Sequence, residues 1–318
     1  MKGTQQRSAV SKSIDVPDHP GQDRYVDARL HHDLADFVTL THPLLQGDPV
    51  RHTIALSALD QTLRVPEIMA DPPVLLTVHR GDLLAGAAVC TPPHDLIVSA
   101  LPPECADAAV ELLARRDAGV PGVVGPRDEA AAFARSWSAR TGASVHERMA
   151  MRLFALHQLT PPNGVRGAAR QAGDGDIELL AQWRADFSEE ATGGLRGHGT
   201  ALQQTQRSLA AGGAALLWEV AGKPVAWAST RVPVVAMSRI GPVYTPPQHR
   251  GQGYGTAVTA SAASWAQQAG AEHVLLFTDL ANPITNTIYP RIGFRPVHDA
   301  VEIAFTPASR SQSGDRTH

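Results

Sequence analysis

The 318-residue chain is 43% apolar and 19% charged with a formal net charge of −3, a globular balance that argues against duplex nucleic acid as the main partner, though not against a local basic patch. No apolar run reaches the roughly 18 to 20 residues that cross a membrane, and the N-terminus lacks the apolar segment of a secretion signal. Cys90 and Cys105 have no metal-ligand spacing and fit a reducing compartment, so a cytoplasmic protein without a metal is expected, of a composition (alanine, arginine, glycine) that points to a bacterial source.

In chain order, residues 1–26 are polar and broken by Pro17, Pro20 and Gly21, which predicts a flexible tail; residues 308–318 read the same way. From 25 to 70 apolar residues recur at helical spacing, Leu30, Leu34, Phe37 and Val38 in one group and Ile54, Leu56, Leu59 and Leu63 in another, with Pro43 and Pro49 as interruptions. Residues 73–77, 83–90 and 96–100 read as strands, 104–118 as a helix, 120–124 as a strand, 127–141 as a helix and 145–156 as a longer strand. A linker at 161–165 follows, marked by Thr160-Pro161-Pro162-Asn163-Gly164. Beyond it, 174–187 and 200–211 read as helices, and 214–220, 224–230 and 239–245 as strands. A helix over 256–270, a strand over 273–278, a short helix after Asn282 and closing strands within 294–305 complete the chain. Element order is the same in both halves, a loose internal duplication that predicts two domains, 27–160 and 166–307.

The most informative stretch joins the third strand of the second half to its long helix. Ile240 to Thr245 is apolar and β-branched, Pro246 and Pro247 stop the ladder, and Arg250-Gly251-Gln252-Gly253-Tyr254-Gly255 sets glycines at alternate positions before the helix. Strand, glycine loop and helix can hold phosphate, because glycines let backbone N–H groups converge and the helix adds the positive end of its dipole. A tight turn is the plainer alternative. No lysine follows the last glycine, so this is not a P-loop, and GxGxG is not the dinucleotide fingerprint GxGxxG.

Arg250-x-x-Gly253-x-Gly255 resembles the pyrophosphate loop of the GNAT superfamily of acyl-CoA-dependent N-acyltransferases. A second motif follows in the right order: a buried strand, then Asn282-Pro283 opening a short helix that carries Asn286 and Tyr289 before Gly293-Phe294. The resemblance implies an α/β (α+β) fold of two GNAT-like domains in tandem, each a mixed central sheet flanked by helices. The first half has Leu101-Pro102-Pro103-Glu104-Cys105-Ala106 where the second has its glycines. Glu104 and Asp107 suit a helix start but repel a pyrophosphate, so the first half resembles a degenerate partner domain that walls the acceptor cleft.

Carried over residue by residue, the resemblance implies that acetyl-CoA meets the N–H groups of Gly251, Gly253, Tyr254 and Gly255, with Arg250 either adding charge or solvated. It implies that backbone groups of Val243, Tyr244 and Thr245 meet the pantetheine arm and acyl carbonyl, and that Asn282 and Asn286 lie along the cofactor arm. Tyr289 is the expected general acid toward the departing thiolate, with core packing as its other reading. No carboxylate lies in 237–245, leaving Glu219, Glu189, Glu190, His198 and His249 as candidate bases. Gly193, Gly194, Gly197 and Gly199 around His198 predict a mobile loop over the acceptor. The expected reaction is direct transfer of an acetyl group to a small-molecule or protein amine by a monomer or homodimer. Another acyl-CoA or aminoacyl-tRNA as donor, or a non-catalytic acyl-CoA sensor, are the alternatives.

Overall fold

The computed structural model describes residues 26–64, 71–116, 118–194 and 200–308. The first half comprises β1 (Val26–His31), α1 (Leu34–Gln46), α2 (Thr53–Arg64), β2 (Val74–Arg80), β3 (Leu83–Cys90), β4 (Leu96–Ala100), α3 (Ala106–Arg115), β5 (Gly122–Pro126), α4 (Arg127–Thr141) and β6 (Ser144–Leu156). The second comprises β7 (Ala168–Gln171), α5 (Ile177–Thr192), α6 (Ala201–Ala210), β8 (Ala214–Val220), β9 (Lys223–Thr230), β10 (Met237–Tyr244), α7 (Tyr254–Gln268), β11 (His273–Asp279), α8 (Pro283–Arg291) and β12 (Phe294–Thr306). The expected tails lie outside the described residues except for Ala308 and for Val26, which opens β1.

Two local expectations are corrected, and one strand appears where no element was expected. Leu30 belongs to a strand, not a helix: Val26–His31 pairs antiparallel with β2, and half-buried Val26, Ala28 and Leu30 recur with the period of two that a strand requires. The short β7, too brief to show a strand's alternation, is held by pairing with β8 from Ala168↔Glu219 to Gln171↔Leu216. Pro43 does not end α1, because it falls in the last turn, where the N–H of Gly47 still donates to its carbonyl at 3.2 Å.

All twelve strands form one sheet in the order β1-β2-β3-β4-β5-β12-β6-β11-β10-β9-β8-β7. The halves interlock at its centre. β6, which closes the first half, pairs with β11 of the second (Leu275↔Ala155 to Asp279↔Met151), and β12 pairs with β5 of the first (Ala300↔Pro126 to Ala304↔Gly122). β6 and β12 also pair with each other, from Phe294↔Leu156 to Thr306↔Ser144. Each half's last strand therefore lies against the fifth strand of the other half. The expected closing strands are one strand, β12.

Alternation along the strands sends neighbouring side chains to opposite faces. Val98 and Val123 face α3 and α4 through Ala109, Val110 and Phe133, while Val274, Leu276 and Ile240 face α7 and α8. On the other side Ile97, Val124, Leu153 and Leu275 face α1 and α2, and Leu217 and Trp227 face Leu180 and Trp183 of α5. Each fully buried large side chain, such as Phe133 or Leu217, contributes about 1.5–3 kcal/mol over its exposed state. Ala257, Ala260, Ala262, Ala263 and Ala266 give α7 a buried face of small side chains that lets it lie close to the sheet, above β8 to β11.

Candidate active site

β10 and β11 run parallel only from Met237↔His273 to Ile240↔Leu276. Past Ile240, β10 bulges against β9, and its register resumes at Val243↔Ala228. Gly241 sits at φ +147°, a backbone state that side chains disfavour. Phe277, Thr278 and Asp279 pair with β6 instead, so the sheet opens between residues 241–245 and the end of β11. Backbone groups of Val243, Tyr244 and Thr245 on that side have no strand partner on β11.

A short turn over Pro247–His249 follows β10, and then Gly251 and Gly253 adopt left-handed conformations at φ +78° and +80°, the second serving as N-cap of α7. Gly251, Gln252 and Gly253 are exposed, and no hydrogen bond among the described residues engages their N–H groups. The first-turn N–H groups of α7 are also free of helical partners by geometry. A Cβ on Gly255 would lie 3.1 Å from Thr245 Oγ1, so the helix begins pressed against the end of β10. These donors lie unengaged where an anion can reach them, a setting that fits a diphosphate. The matching turn of the first half, Pro103–Cys105, has Glu104 at its start and commits the Cys105 N–H to Pro102 O at 2.9 Å.

On the opposite face a cavity of about 790 Å³ lies between α2 and α6, and its lining includes Gly241 and Phe277, the two sides of the opening in the sheet. Five arginines line it against two carboxylates, Asp95 and Glu302. Arg148 pairs with Asp95 and lies 3.9 Å from Glu302. Arg184 Nε donates to Thr205 Oγ1 at 3.0 Å, with its guanidinium 5.4 Å over the Trp227 ring, and Arg231 Nη1 donates to Gln61 Oε1 at 2.9 Å. Arg239 keeps some accessible surface because it lines the cavity, yet its Nη1 is covered and has no acceptor among the described residues. Burial, and then the charge of Arg231, push Arg239 down to about 9 and Arg184 to about 10; burial also lowers Arg231.

Residues 180–294 match the sequence profile of the acetyltransferase (GNAT) family. Over these residues the second half is a GNAT-family domain. No curated protein matches the sequence. Among solved structures the chain resembles a Drosophila protein at 12% identity and a TM-score of 0.64, covering 88% of this chain and 98% of that one. A tandem GNAT protein from the clavulanic acid biosynthesis pathway is similar at 14% identity and a TM-score of 0.54, covering 90% and 100%. An N-acetyltransferase from Sphaerobacter thermophilus is similar at 17% and 0.55, covering 89% and 96%. These likenesses are of fold, and they extend it over both halves: a tandem GNAT architecture built on one mixed sheet.

Within the GNAT domain the other expected residues divide by what already holds them. Tyr244 is buried beside Trp183 and donates to Glu190, while Arg250 donates through Nε to Thr245 O at 2.9 Å and through Nη2 to Glu190, so its guanidinium turns back toward β10. Asn282 caps α8 by accepting from Ile284 and Thr285. Asn286 accepts from Thr278 Oγ1 at 2.7 Å and donates to Asp279 O and Asn282 O at 2.8 Å, so a cofactor contact would displace a bond that fastens α8 to β11. Tyr289 is 6% exposed, edge-on to Phe294, and burial pushes its phenol up to about 12 against a smaller lowering by the Thr259 hydroxyl. Tyr254 packs half-buried at the start of α7 against the same core.

None of the described candidate bases lines the cavity. Glu219 pairs with Arg170 at 2.7 Å, Glu190 holds Tyr244 and Arg250, Glu189 lies at the exposed end of α5, and His249 sits in the turn after β10. His198, Gly197 and Gly199 lie outside the described residues. Burial raises the pKa of both thiols, Cys90 to about 12, which keeps them protonated and poorly nucleophilic. The cavity arginines escaped the sequence reading. Their one local signal is charge inside apolar elements, as in Met237-Ser238-Arg239-Ile240.

Proposed function

We propose that the protein is an N-acetyltransferase that moves an acetyl group from acetyl-CoA to an amine by direct attack, using only the second half's loop for the cofactor. The observation that carries this is the exposed glycine turn at the start of α7, with unengaged N–H groups, beside an opening in the sheet that leads to the cavity. Gly251, Gly253, Tyr254 and Gly255 would hold the diphosphate through backbone N–H groups. Bound there, acetyl-CoA supplies an acyl group already activated as a thioester.

The chain does the rest. Unpaired backbone groups between Val243 and Thr245 receive the pantetheine arm and stabilise the developing oxyanion. The cavity between α2 and α6 holds the amine on the far side of the opening. Tyr289, its phenol held protonated by burial, gives a proton to the departing sulfur. The first half supplies α2 to the cavity wall and no diphosphate loop. Incubation with acetyl-CoA and a panel of amines, followed by mass spectrometry of the acceptors and by free-thiol release, tests this reading. Calorimetric binding of CoA without release of thiol for any amine would reduce the protein to an acyl-CoA-binding module.

A further inference from the structure

Among the described residues, three cationic side chains of the cavity form no ion pair with a carboxylate. Arg184 spends one donor on a threonine hydroxyl, Arg231 spends one on a glutamine oxygen, and Arg239 makes no hydrogen bond among the described residues. Asp60, whose charge acts on Arg231, is already gripped by Arg64 Nε at 2.8 and 2.9 Å, and the two carboxylates of the lining lie beside Arg148. Each guanidinium carries five N–H donors in a planar fork whose shape matches carboxylate and phosphate oxygens. Keeping such groups together, partly buried and without a paired counter-ion, is costly, and a structure that retains them implies that the counter-ion arrives with a ligand.

We propose that the cavity binds its occupant by an oxyanion group, a carboxylate or a phosphate, clamped by Arg184, Arg231 and Arg239, so that the acyl acceptor is a small anionic amine. The identity of that amine rests on the acyl-transfer reading; the anion site rests on the arginines alone. It is distinct from the diphosphate turn, which precedes α7 on the opposite face of the sheet. Arg239 stands two residues before Gly241, so an oxyanion anchored at Arg239 leaves the amine end of a short molecule near the opening. The buried position of Arg239 Nη1 favours a small molecule over the phosphates of a polymer.

The test titrates the full-length protein calorimetrically with inorganic phosphate and, separately, with succinate, at constant ionic strength. Saturable binding of at least one probe is expected, weakened roughly tenfold or more in Arg239→Gln and in Arg184→Gln. Saturable binding of neither probe, or affinity indifferent to both arginine variants, overturns the proposal; should one variant fail to fold, the other and the wild-type titration decide. A second arm compares matched acceptors with acetyl-CoA: amino acids against their amides, and aminoalkyl phosphates against amino alcohols. The anionic member should be favoured about tenfold or more in kcat/KM, and whichever pair shows the preference names the oxyanion. Neutral members used equally well overturn the proposal. Anion binding that depends on Arg239 without any thioester turnover would sink the acyl-transfer reading and leave the anion site standing.

Discussion

The Tyr244 hydroxyl donates to Glu190 at 3.0 Å, and the second oxygen of that carboxylate meets Arg250 Nη2 at 2.5 Å. The end of α5 is thereby tied to the end of β10 and to the first residue of the glycine turn, with Arg250 lying 5.9 Å over the Tyr244 ring. Burial, then the Glu190 bond and charge, hold the Tyr244 phenol up at about 12. In Glu190→Gln the phenol should titrate lower, part of the way back toward its ordinary 10, because burial remains. A phenolate absorbance titration of the variant that superimposes on wild type would dismiss the link.

Gly253 should tolerate no side chain. Its φ of +80° disfavours any L-residue, by about 1–2 kcal/mol, and a Cβ would approach Val165 Cγ2 to 3.3 Å. Gly253→Val is expected to cut CoA affinity at least tenfold by moving the N–H groups of the turn, while the melting temperature falls by only a few degrees. Unchanged affinity in a calorimetric titration would remove the turn from the cofactor site.

Tyr289→Phe should lower kcat by about 10²–10⁴ while leaving CoA affinity nearly unchanged, the range expected for loss of a general acid. A phenol whose pKa lies near 12 stays protonated throughout the neutral range, so wild-type activity should show no alkaline loss from this group below about pH 10. The sign for stability is that of a group protonated in the fold beyond its unfolded pKa of 10. Its contribution is whole below pH 10 and is lost as pH rises toward 12. Equal turnover of variant and wild type would leave Tyr289 as core packing against Phe294.

What could be read from the sequence was what is local. Strand, glycines and helix from Ile240 to Gly255 are contiguous, and Asn282 with Pro283 marks a helix start by its own chemistry, so both appear where expected. The edges β1 and β7 were hidden because short strands owe their state to a neighbour: Leu30 fits a helix until β2 is beside it. The crossing of β6 and β12 was invisible because nothing in either strand names its partner. The arginine cavity fails for the same reason, since Arg184, Arg231 and Arg239 come from α5, the segment after β9 and β10, and become a cluster only in the folded chain. The Asn286 motif was legible, whereas the bonds of its side chain to the Asp279 and Asn282 carbonyls were not.

His52 offers a test on the acid side. Its ring is buried, shares a 3.2 Å hydrogen bond with Ser99 Oγ, and burial, with smaller lowering from Arg51 and His298 against the opposing charge of Asp48, pushes it down to about 4. The unfolded chain takes up a proton near pH 6.5 that the folded chain refuses, so stability is whole above 6.5 and falls as pH drops toward 4. His298, also lowered by burial, acts in the same direction. Urea midpoints at pH 7 and pH 4.5 should therefore separate more for wild type than for His52→Gln. Equal separations would show that His52 does not titrate as its surroundings dictate.

The interlocked strands should make the two halves unfold as one. β5 has β12 on one side and β11 has β6 on one side, so opening either half exposes ladder groups of the other. Hydrogen exchange followed by mass spectrometry should give peptides of β5 and of β11 the same denaturant midpoint, and a chain ending at Gly293, which lacks β12, should lose protection in β5 although every residue of the first half is present. Independent midpoints, or a first half that keeps its protection without β12, would mean that the crossing contributes little and that the linker alone joins two self-sufficient folds. A single transition would explain how the cavity, whose walls come from α2 of one half and α6 of the other, keeps its shape without a separate docking interface.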